Sequence, residues 1–244
     1  MTKPTNRPRI ACFHGGGSRA SVYEVQCAHL AKLLEPDFEL IFFDGPFFRD
    51  AGPGVLPAFR GYEPFRSWFT ADSSGAELPD GSGYDMTGRD GVERIWKLMQ
   101  EKDKLSPGGP WVGVMGFSQG TRPAGGLLLD QQRRIASGEF GSEAEIPTGL
   151  RLKFGVMCMG AGAPMMAESA HRAESDAELV SIPTIHVHGL KDPVLPLSRH
   201  QLASYYDPKR SELFEVDYHH AMPWVKHEVE HLARLIRTAY RENS

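Results

Sequence analysis

The sequence predicts an α/β fold in which a mainly parallel sheet is covered by helices on both faces. Short apolar runs alternate with segments of helical spacing, which is the signature of β-α-β units. A Gly-x-Ser-x-Gly pentapeptide, Gly116–Gly120, joins one apolar run to the helical segment after it. An aspartate and then a histidine pair follow two later apolar runs. The chain order Ser, Asp, His is that of α/β-hydrolases, so this is the expected fold.

The apolar runs and the segments between them give the individual elements. Six strands are predicted from short apolar stretches: Arg9–Phe13, Glu39–Phe43, Trp111–Met115, Leu152–Met159, Thr184–His188 and Glu212–Val216. Five helices are predicted between or after them: Val22–Leu34, Gly91–Glu101, Gln119–Ile135, Ser198–Tyr205 and Trp224–Tyr240. Apolar residues in the last helix recur every three or four positions, so we expect it to lay one face on the sheet.

The segment 47–90 interrupts this alternation of strands and helices. It is rich in Gly, Pro, Ser and Asp, yet it also holds several aromatic residues. A disordered linker would be poor in aromatics. The segment is therefore interpreted as an ordered insert, either a lid or pocket wall, or a surface loop that its aromatic residues anchor to the core.

Composition excludes several classes of function. At 244 residues with 41% apolar residues, the chain fits a single domain, residues 1–244, with a large core. The net charge of −4 offers no basic surface for nucleic acid. No apolar stretch approaches the ~20 residues that span a bilayer. The start, Met1–Pro4, lacks the apolar core of a signal peptide. We therefore expect a cytoplasmic protein without a membrane span.

The three cysteines are interpreted as buried thiols. Cys12, Cys27 and Cys158 are an odd number without metal-like spacing. Two of them, Cys12 and Cys158, lie inside apolar strand-like runs, where a thiol behaves as a small hydrophobic group.

Ser118 in the pentapeptide is the predicted nucleophile. A strand that turns sharply into a helix exposes the serine at this position. A serine hydroxyl needs an imidazole to accept its proton. His219 and His220 follow the last strand and precede the last helix, so one of the two is the predicted base.

Asp192 is the predicted acid that orients this histidine. It follows the strand Thr184–His188 through a short turn, so its carboxylate lies at a strand's carboxyl end. The alternative is that Asp192 caps the helix after it. A rival acid, Asp217, lies only three residues from His220 and would have difficulty reaching the far nitrogen of the ring.

The glycines after the first strand predict part of an oxyanion hole. The run His14–Ser18 holds three glycines and resembles a lipase-type His-Gly-Gly-Gly element. A dinucleotide-binding turn is rejected because the required third glycine is replaced by Ala20. The predicted donors are the backbone N–H of Gln119 and that of Gly16 or Gly17.

Other polar residues have competing interpretations. Arg122, one turn after Ser118, could bind a substrate carboxylate or phosphate, or form a salt bridge with a neighbouring acid. The pair His186 and His188 alternates on a strand without a third ligand at matching spacing, so no metal site is expected. A second pair, His227 and His231, is surrounded by charged residues and is interpreted as part of an exposed helix face.

Several blocks together resemble the family of serine hydrolases found in fungi and other eukaryotes, which includes a yeast enzyme and fungal polyketide-releasing thioesterases. The matching blocks occur in family order over nearly the whole chain: Cys12–Gly15, Phe42–Pro46, Arg66–Phe69, Gly116–Gly120, His188–Pro196 and His220–Pro223. The resemblance implies that His220, rather than His219, is the base. The chain departs from the family pattern at Tyr218 and His219, at Met222, at Arg122 and at Gly15–Ser18.

The expected activity is cofactor-free hydrolysis of an ester or thioester through a Ser118 acyl-enzyme. The resemblance implies an acyl or polyketide chain on an acyl carrier protein, in secondary metabolism. An acyltransferase or cyclase with the same triad is an alternative, and a ligand-binding protein on a hydrolase fold is another. The residues expected to bind substrate are Gly17, Phe47, Trp68, Phe69, Arg122, Met165 and Met222.

Overall fold

A computed structural model describes residues 6–69, 91–138, 150–166 and 178–243. Its strands are β1 Arg9–Phe13, β2 Glu39–Phe43, β3 Phe47–Phe48, β4 Arg66–Ser67, β5 Trp111–Phe117, β6 Leu150–Cys158, β7 Thr184–Gly189 and β8 Ser211–Val216. Its α-helices are α1 Ala20–Gln26, α2 Ala28–Leu34, α3 Gly91–Leu105, α4 Thr121–Ala136, α5 Leu195–Tyr205 and α6 Lys226–Glu242. A 3₁₀ turn, Ser118–Gly120, joins β5 to α4.

Six strands form one parallel sheet in the order β2-β1-β5-β6-β7-β8. The predicted α/β fold with a mainly parallel sheet is therefore confirmed. After β1 the chain forms β2, which lies on one side of β1 at the edge of the sheet. It later forms β5, which lies on the other side of β1. Ligand sites of open α/β sheets lie at such a switch point, outside the carboxyl ends of the strands. This positions the loops after β1 and β5 side by side.

Helices cover both faces of the sheet and bury two apolar cores. One core packs α1, α2 and α6 against the sheet and includes Tyr23, Leu34 and Leu232. The other packs α3 and α4 against the opposite face and includes Ile95 and Leu127. Strand β1 is buried on both faces, as expected for a central parallel strand.

The first predicted helix, Val22–Leu34, is divided in the structure. Cys27 has φ −92° and ψ 1°, so it ends α1 and begins α2 instead of continuing one helix. Its N–H donates to the carbonyl of Tyr23, and its own carbonyl accepts from Ala31. The apolar spacing does not reveal this break because both short helices pack against the same core.

Part of the insert 47–90 is described. β3 and β4 pair antiparallel as a separate two-stranded ribbon. Residues 70–90 lie outside the described residues, so the interpretation of the segment as a lid remains a prediction. Within the described ranges, no helix is long and apolar enough to cross a membrane.

Candidate active site

Ser118 lies at a sharp turn directly after β5. Its φ is +52°, a left-handed conformation that is uncommon for residues other than glycine. A Cβ on Gly116 would lie 2.2 Å from the carbonyl oxygen of Gly120, and one on Gly120 would lie 2.1 Å from that of Phe13. Only glycine permits this close approach of three backbone segments. The packed turn holds Ser118 in its strained conformation, as at many functional sites.

Asp192 and His220 form a hydrogen-bonded pair. The Oδ2 atom of Asp192 lies 2.7 Å from Nδ1 of His220. The aspartate is 5% exposed, and its Oδ1 accepts the N–H of Val194 at 2.8 Å. A carboxylate accepts hydrogen bonds, so the proton of the neutral ring resides on Nδ1. The Nε2 atom is thereby left as the basic nitrogen, the arrangement that a general base requires.

The two rival residues named from the sequence lie in other interactions. His219 is exposed, and its Nδ1 lies 3.0 Å from the carbonyl oxygen of Lys191. Asp217 is exposed and forms an ion pair of 2.6 Å with Lys191 Nζ. The structure therefore pairs His220, not His219, with Asp192.

Backbone hydrogen bonds tie together the loops that carry this pair. Leu190 N–H donates to Val216, and Lys191 N–H donates to Tyr218, each at 2.8 Å. The first loop follows β7 and the second follows β8, which are adjacent strands. The separation between Asp192 and His220 is therefore fixed by main-chain bonds as well as by their own contact.

The glycine loop after β1 offers one of its two candidate N–H groups. Gly17 N–H donates to the carbonyl of Arg66 at 2.9 Å, so it is already used. Among the described residues, no hydrogen bond uses the N–H of Gly16, and Gly16 lines the cavity next to Ser118. Gln119 is the second residue of the 3₁₀ turn, where the first N–H groups have no partner within the helix. These two groups are the candidate oxyanion donors.

His14 is neutral and completely buried beside this loop. Its Nδ1 lies 2.7 Å from the carbonyl oxygen of Gly15, and its Nε2 accepts the N–H of Gly45 at 2.9 Å. A carbonyl can only accept and an N–H can only donate, so the proton resides on Nδ1. Burial lowers the pKa of His14 to about 4, although the bond to Gly15 acts in the opposite direction.

A cavity of about 730 Å³ contains the nucleophile and the base–acid pair. Part of its lining is polar, from Ser118, Gln119, Asp192 and His220. The rest includes apolar side chains from the insert, from the end of β5, from the loop after β6, and from the turn between β7 and α5 and the start of α5. This apolar part consists of Pro53, Val55, Phe117, Ala161, Pro193, Val194 and Leu197.

Arg122 lines this cavity, and its role in substrate binding stays a prediction. Its side chain is 8% exposed. The Nε atom donates to the carbonyl of Ala163 at 2.9 Å, and the guanidinium lies 4.1 Å from the centre of the Phe69 ring. The carbonyl and the ring therefore fix its orientation.

The other residues expected to bind substrate lie elsewhere. Trp68, Phe69 and Met165 are buried in the core on the α3 and α4 face, and Met222 is buried in the opposite core. Phe47 lies on β3, and Gly17 is occupied in backbone bonds. In the part of the chain that is described, none of these six residues lines the cavity. Aromatic content indicates burial, but it does not distinguish the core from the wall of a cleft.

Several residues that line the cavity were not identified from the sequence. They include Gln26, Arg49, Val55 and Leu197. The positions of two of them in the sequence could have indicated that they lie near the site. Leu197 lies five residues after Asp192, in the first turn of α5, and Arg49 directly follows the Phe47–Phe48 pair of the insert.

The histidine pairs that could suggest a metal remain separate from the site. His186 and His188 are buried on β7, with Nε2 of His186 3.1 Å from the hydroxyl of Thr184. His227 and His231 lie on α6. Within the described ranges, no group of three or more His, Cys, Asp or Glu residues could hold a metal ion.

Comparison with known proteins agrees with this architecture. The family "Serine hydrolase (FSH1)" matches residues 1–232. "Esterase tropF" of Talaromyces stipitatus is 32% identical over 262 residues, which cover 96% of this chain and 82% of that protein. A "probable esterase" of Aspergillus terreus is 35% identical over 242 residues, covering 97% of this chain and 91% of that protein.

Solved structures share the fold at low sequence identity. The Bacillus cereus carboxylesterase has a TM-score of 0.59 and 16% identity, covering 98% of this chain and 91% of that one. The expected α/β-hydrolase fold is thereby confirmed. The family match and the two esterase relatives show the rest: this chain belongs to the FSH1 serine hydrolase family and is a hydrolase of the carboxylesterase or thioesterase type.

Proposed function

We propose that this enzyme cleaves an ester or thioester of an acyl chain through an acyl-enzyme on Ser118. The observation that carries the proposal is the 2.7 Å pair between His220 and Asp192, which lines the same cavity as the strained Ser118. In the proposed assignment Ser118 is the nucleophile, His220 the base and then the acid, and Asp192 the group that orients the ring.

In the first half-reaction, Nε2 of His220 accepts the hydroxyl proton while Oγ of Ser118 bonds to the carbonyl carbon. The negative charge passes to the carbonyl oxygen, where the N–H groups of Gly16 and Gln119 are the proposed donors. Each donor of this kind stabilises the transition state by about 3 kcal/mol. The tetrahedral intermediate then expels the alcohol or thiol, which takes the proton from His220.

Water completes the reaction. His220 accepts a proton from the water as the water oxygen bonds to the acyl carbon. The bond from that carbon to Ser118 Oγ then breaks, and His220 returns the proton to Oγ. The products are a carboxylic acid and the regenerated serine. No cofactor takes part in the proposed scheme, because the three side chains and two backbone donors account for every proton and bond.

The acyl pocket is proposed to lie on the apolar side of the cavity. Val55 comes from the insert, while Val194 and Leu197 come from the start of α5. These side chains would contact an acyl chain by apolar burial, at about 25 cal/mol for each Å² removed from water. Arg122 is retained as a proposed substrate contact because it lines the same cavity.

A finer proposal, more specific than ester or thioester cleavage, concerns the natural substrate. The resemblance to polyketide-releasing thioesterases supports an acyl chain on an acyl carrier protein, in secondary metabolism. The relatives are themselves named only as esterases. A cytoplasmic location is proposed with it, because all three cysteines are buried free thiols, the state expected in a reducing compartment.

The decisive experiment combines active-site labelling with turnover. Native protein treated with a fluorophosphonate should gain one adduct by intact mass, and Ser118→Ala and His220→Ala should gain none. His219→Ala is the matched control for His220→Ala, since it removes the neighbouring imidazole, and it should still be labelled. Hydrolysis of activated esters and thioesters by Ser118→Ala at the native rate would disprove the mechanism.

A second assay addresses the substrate. Acyl thioesters of a small thiol and of an acyl carrier protein would be offered in parallel, and the products identified by mass. Free acid from the carrier protein at a higher kcat/KM than from the small thiol supports the finer proposal. A higher kcat/KM for the thioester of the small thiol contradicts it. An ester or a ring as the product would show that the reaction is acyl transfer or cyclisation instead of hydrolysis.

A further inference from the structure

The segment Arg66–Trp68, here called the brace, contacts both halves of the candidate oxyanion hole. One half is the glycine loop that follows β1. The other is Gln119, which follows Ser118. The two halves come from strands β1 and β5, which are neighbours in the sheet. The brace comes from the insert and belongs to neither strand.

The first set of contacts fixes the glycine loop through its backbone. The carbonyl of Arg66 accepts the N–H of Gly17 at 2.9 Å, and the N–H of Arg66 donates to the carbonyl of Ser18 at 2.7 Å. Gly17 has φ +67°, and a Cβ there would lie 2.2 Å from the backbone nitrogen of Gly52. The far end of the loop is therefore held in one conformation by the insert.

The second set fixes the near end of the loop through His14. The indole Nε1 of Trp68 donates to the carbonyl of His14 at 2.8 Å, and the two rings are 5.0 Å apart. The imidazole in turn donates from Nδ1 to the carbonyl of Gly15 at 2.7 Å. Gly45 N–H donates to its other nitrogen, which fixes the ring plane.

The bond to Gly15 determines where the N–H of Gly16 points. The carbonyl of Gly15 and the N–H of Gly16 belong to one peptide unit, which is planar and trans. In such a unit the C=O and N–H vectors are opposed. When His14 holds the carbonyl on one side, the N–H of Gly16 is directed to the other side, and Gly16 lines the cavity with Ser118.

The third set fixes Gln119. Its side-chain oxygen Oε1 accepts the hydroxyl of Ser67 at 3.1 Å and the N–H of Trp68 at 3.0 Å. Two donors on one oxygen also establish which amide atom is the oxygen. The side chain is 6% exposed, so these bonds are sheltered from water. Gln119, whose backbone N–H is the second candidate donor, is therefore held to the brace by its own side chain.

We propose that Ser67 and His14 are positioning residues that set the geometry of the oxyanion hole, Ser67 through Gln119 and His14 through the Gly15–Gly16 peptide. The proposal rests on the proposed function, since it assigns a purpose to the donors named there. Neither Ser67 nor His14 lines the cavity. Each acts on a backbone N–H group that develops its full strength only when charge appears on the carbonyl oxygen.

The test is a double-mutant cycle with Ser67→Ala, Gln119→Ala and the double variant. The substrate is p-nitrophenyl butyrate, and phenylboronic acid, which forms a tetrahedral adduct with serine, reports binding of the transition-state shape. Ser67→Ala should lower kcat about 10- to 100-fold, less than the loss of a whole donor, with KM within about threefold. The inhibition constant of phenylboronic acid should rise by a similar factor.

The double variant separates positioning from a simple packing defect. If Ser67 acts through Gln119, then Ser67→Ala added to Gln119→Ala should change kcat less than about twofold further. A full additive loss, or native kcat in Ser67→Ala, would overturn the role of Ser67. A native protein without any turnover would instead overturn the proposed function and this inference with it.

Substitution of His14 gives a second test, which can be carried out even if Ser67→Ala does not fold. The amide nitrogen of Asn in His14→Asn can replace Nδ1 and donate to Gly15, whereas the longer Gln in His14→Gln places its amide towards Gly45. The Asn variant should keep at least about tenfold more kcat than the Gln variant. Equal kcat in the two variants, or the reverse order, would overturn the role of His14.

Discussion

Acidification should destabilise the folded chain through histidines that are buried in the neutral form. Burial lowers the pKa of His14 to about 4 and that of His186 to about 3. It also lowers the pKa of His188. The Nδ1 atoms of His186 and His188 have no hydrogen-bond partner among the described residues. A proton added to either ring would therefore lie in a dry environment without an acceptor.

The sign and size of the effect follow from proton linkage. In the unfolded chain these histidines bind protons below about pH 6.5, and in the folded chain only below their lowered pKa values. The unfolded state thus binds more protons as the pH falls below 6.5, and stability falls with it. Between pH 8 and pH 5 the loss is about 2 kcal/mol for each of His14 and His186, given their lowered pKa values. Above pH 7 the effect vanishes, because both states are neutral.

Urea unfolding at pH 8 and pH 5 measures this loss. The variant His186→Phe removes one titrating ring and keeps an aromatic group against Tyr206, whose ring lies 4.5 Å from that of His186. It should lose about 2 kcal/mol less than native protein between the two pH values. His200→Gln, which changes an exposed histidine, is the control and should follow native protein. Equal losses in native protein and His186→Phe would refute the reasoning.

Three further predictions concern the site and the core. Asp192→Asn should lower kcat about 10⁴-fold, because an amide no longer holds the His220 ring in the required tautomer, and steady-state kinetics would show this; a loss under tenfold would contradict it. Gly116→Ala should lower the free energy of unfolding by about 1–3 kcal/mol, because its Cβ would lie 2.2 Å from the carbonyl oxygen of Gly120. Phe154→Ala should lower it by about 3–5 kcal/mol in urea titrations, since this ring is completely buried; native-like midpoints in either variant would be the contrary result.

The strands were predictable because their signal is local. β1 and β2 have the predicted bounds, and β5 to β8 differ by one or two residues at their ends, whereas the two-residue strands β3 and β4 were not predicted. A parallel strand buried on both faces must be apolar throughout, so a short window of sequence is enough to find it. The break between α1 and α2 was not predictable, because Cys27 changes the backbone direction without changing the apolar spacing.

The site was predictable only where chemistry demands particular residue types in a particular order. Ser118, Asp192 and the pair His219 and His220 were predicted because each follows an apolar strand, and the family resemblance then favoured His220. The contacts of Ser67 and His14 were not anticipated, although both residues lie in blocks that carry the family resemblance. Their importance arises from bonds between segments 52 and 54 residues apart in the chain, which no local pattern records.

The main-chain bonds between the loops after β7 and β8 have a mechanical consequence. They unite Asp192 and His220 in one unit, while Ser118, Gly16 and Gln119 belong to a second unit joined by the brace. Each unit is held internally by these bonds, and the rings of Phe117 and His220, whose centres are 4.9 Å apart, are in contact between the two units. The position of His220 relative to Ser118 is therefore expected to depend on how the two units pack against each other, rather than on the conformation of either loop alone.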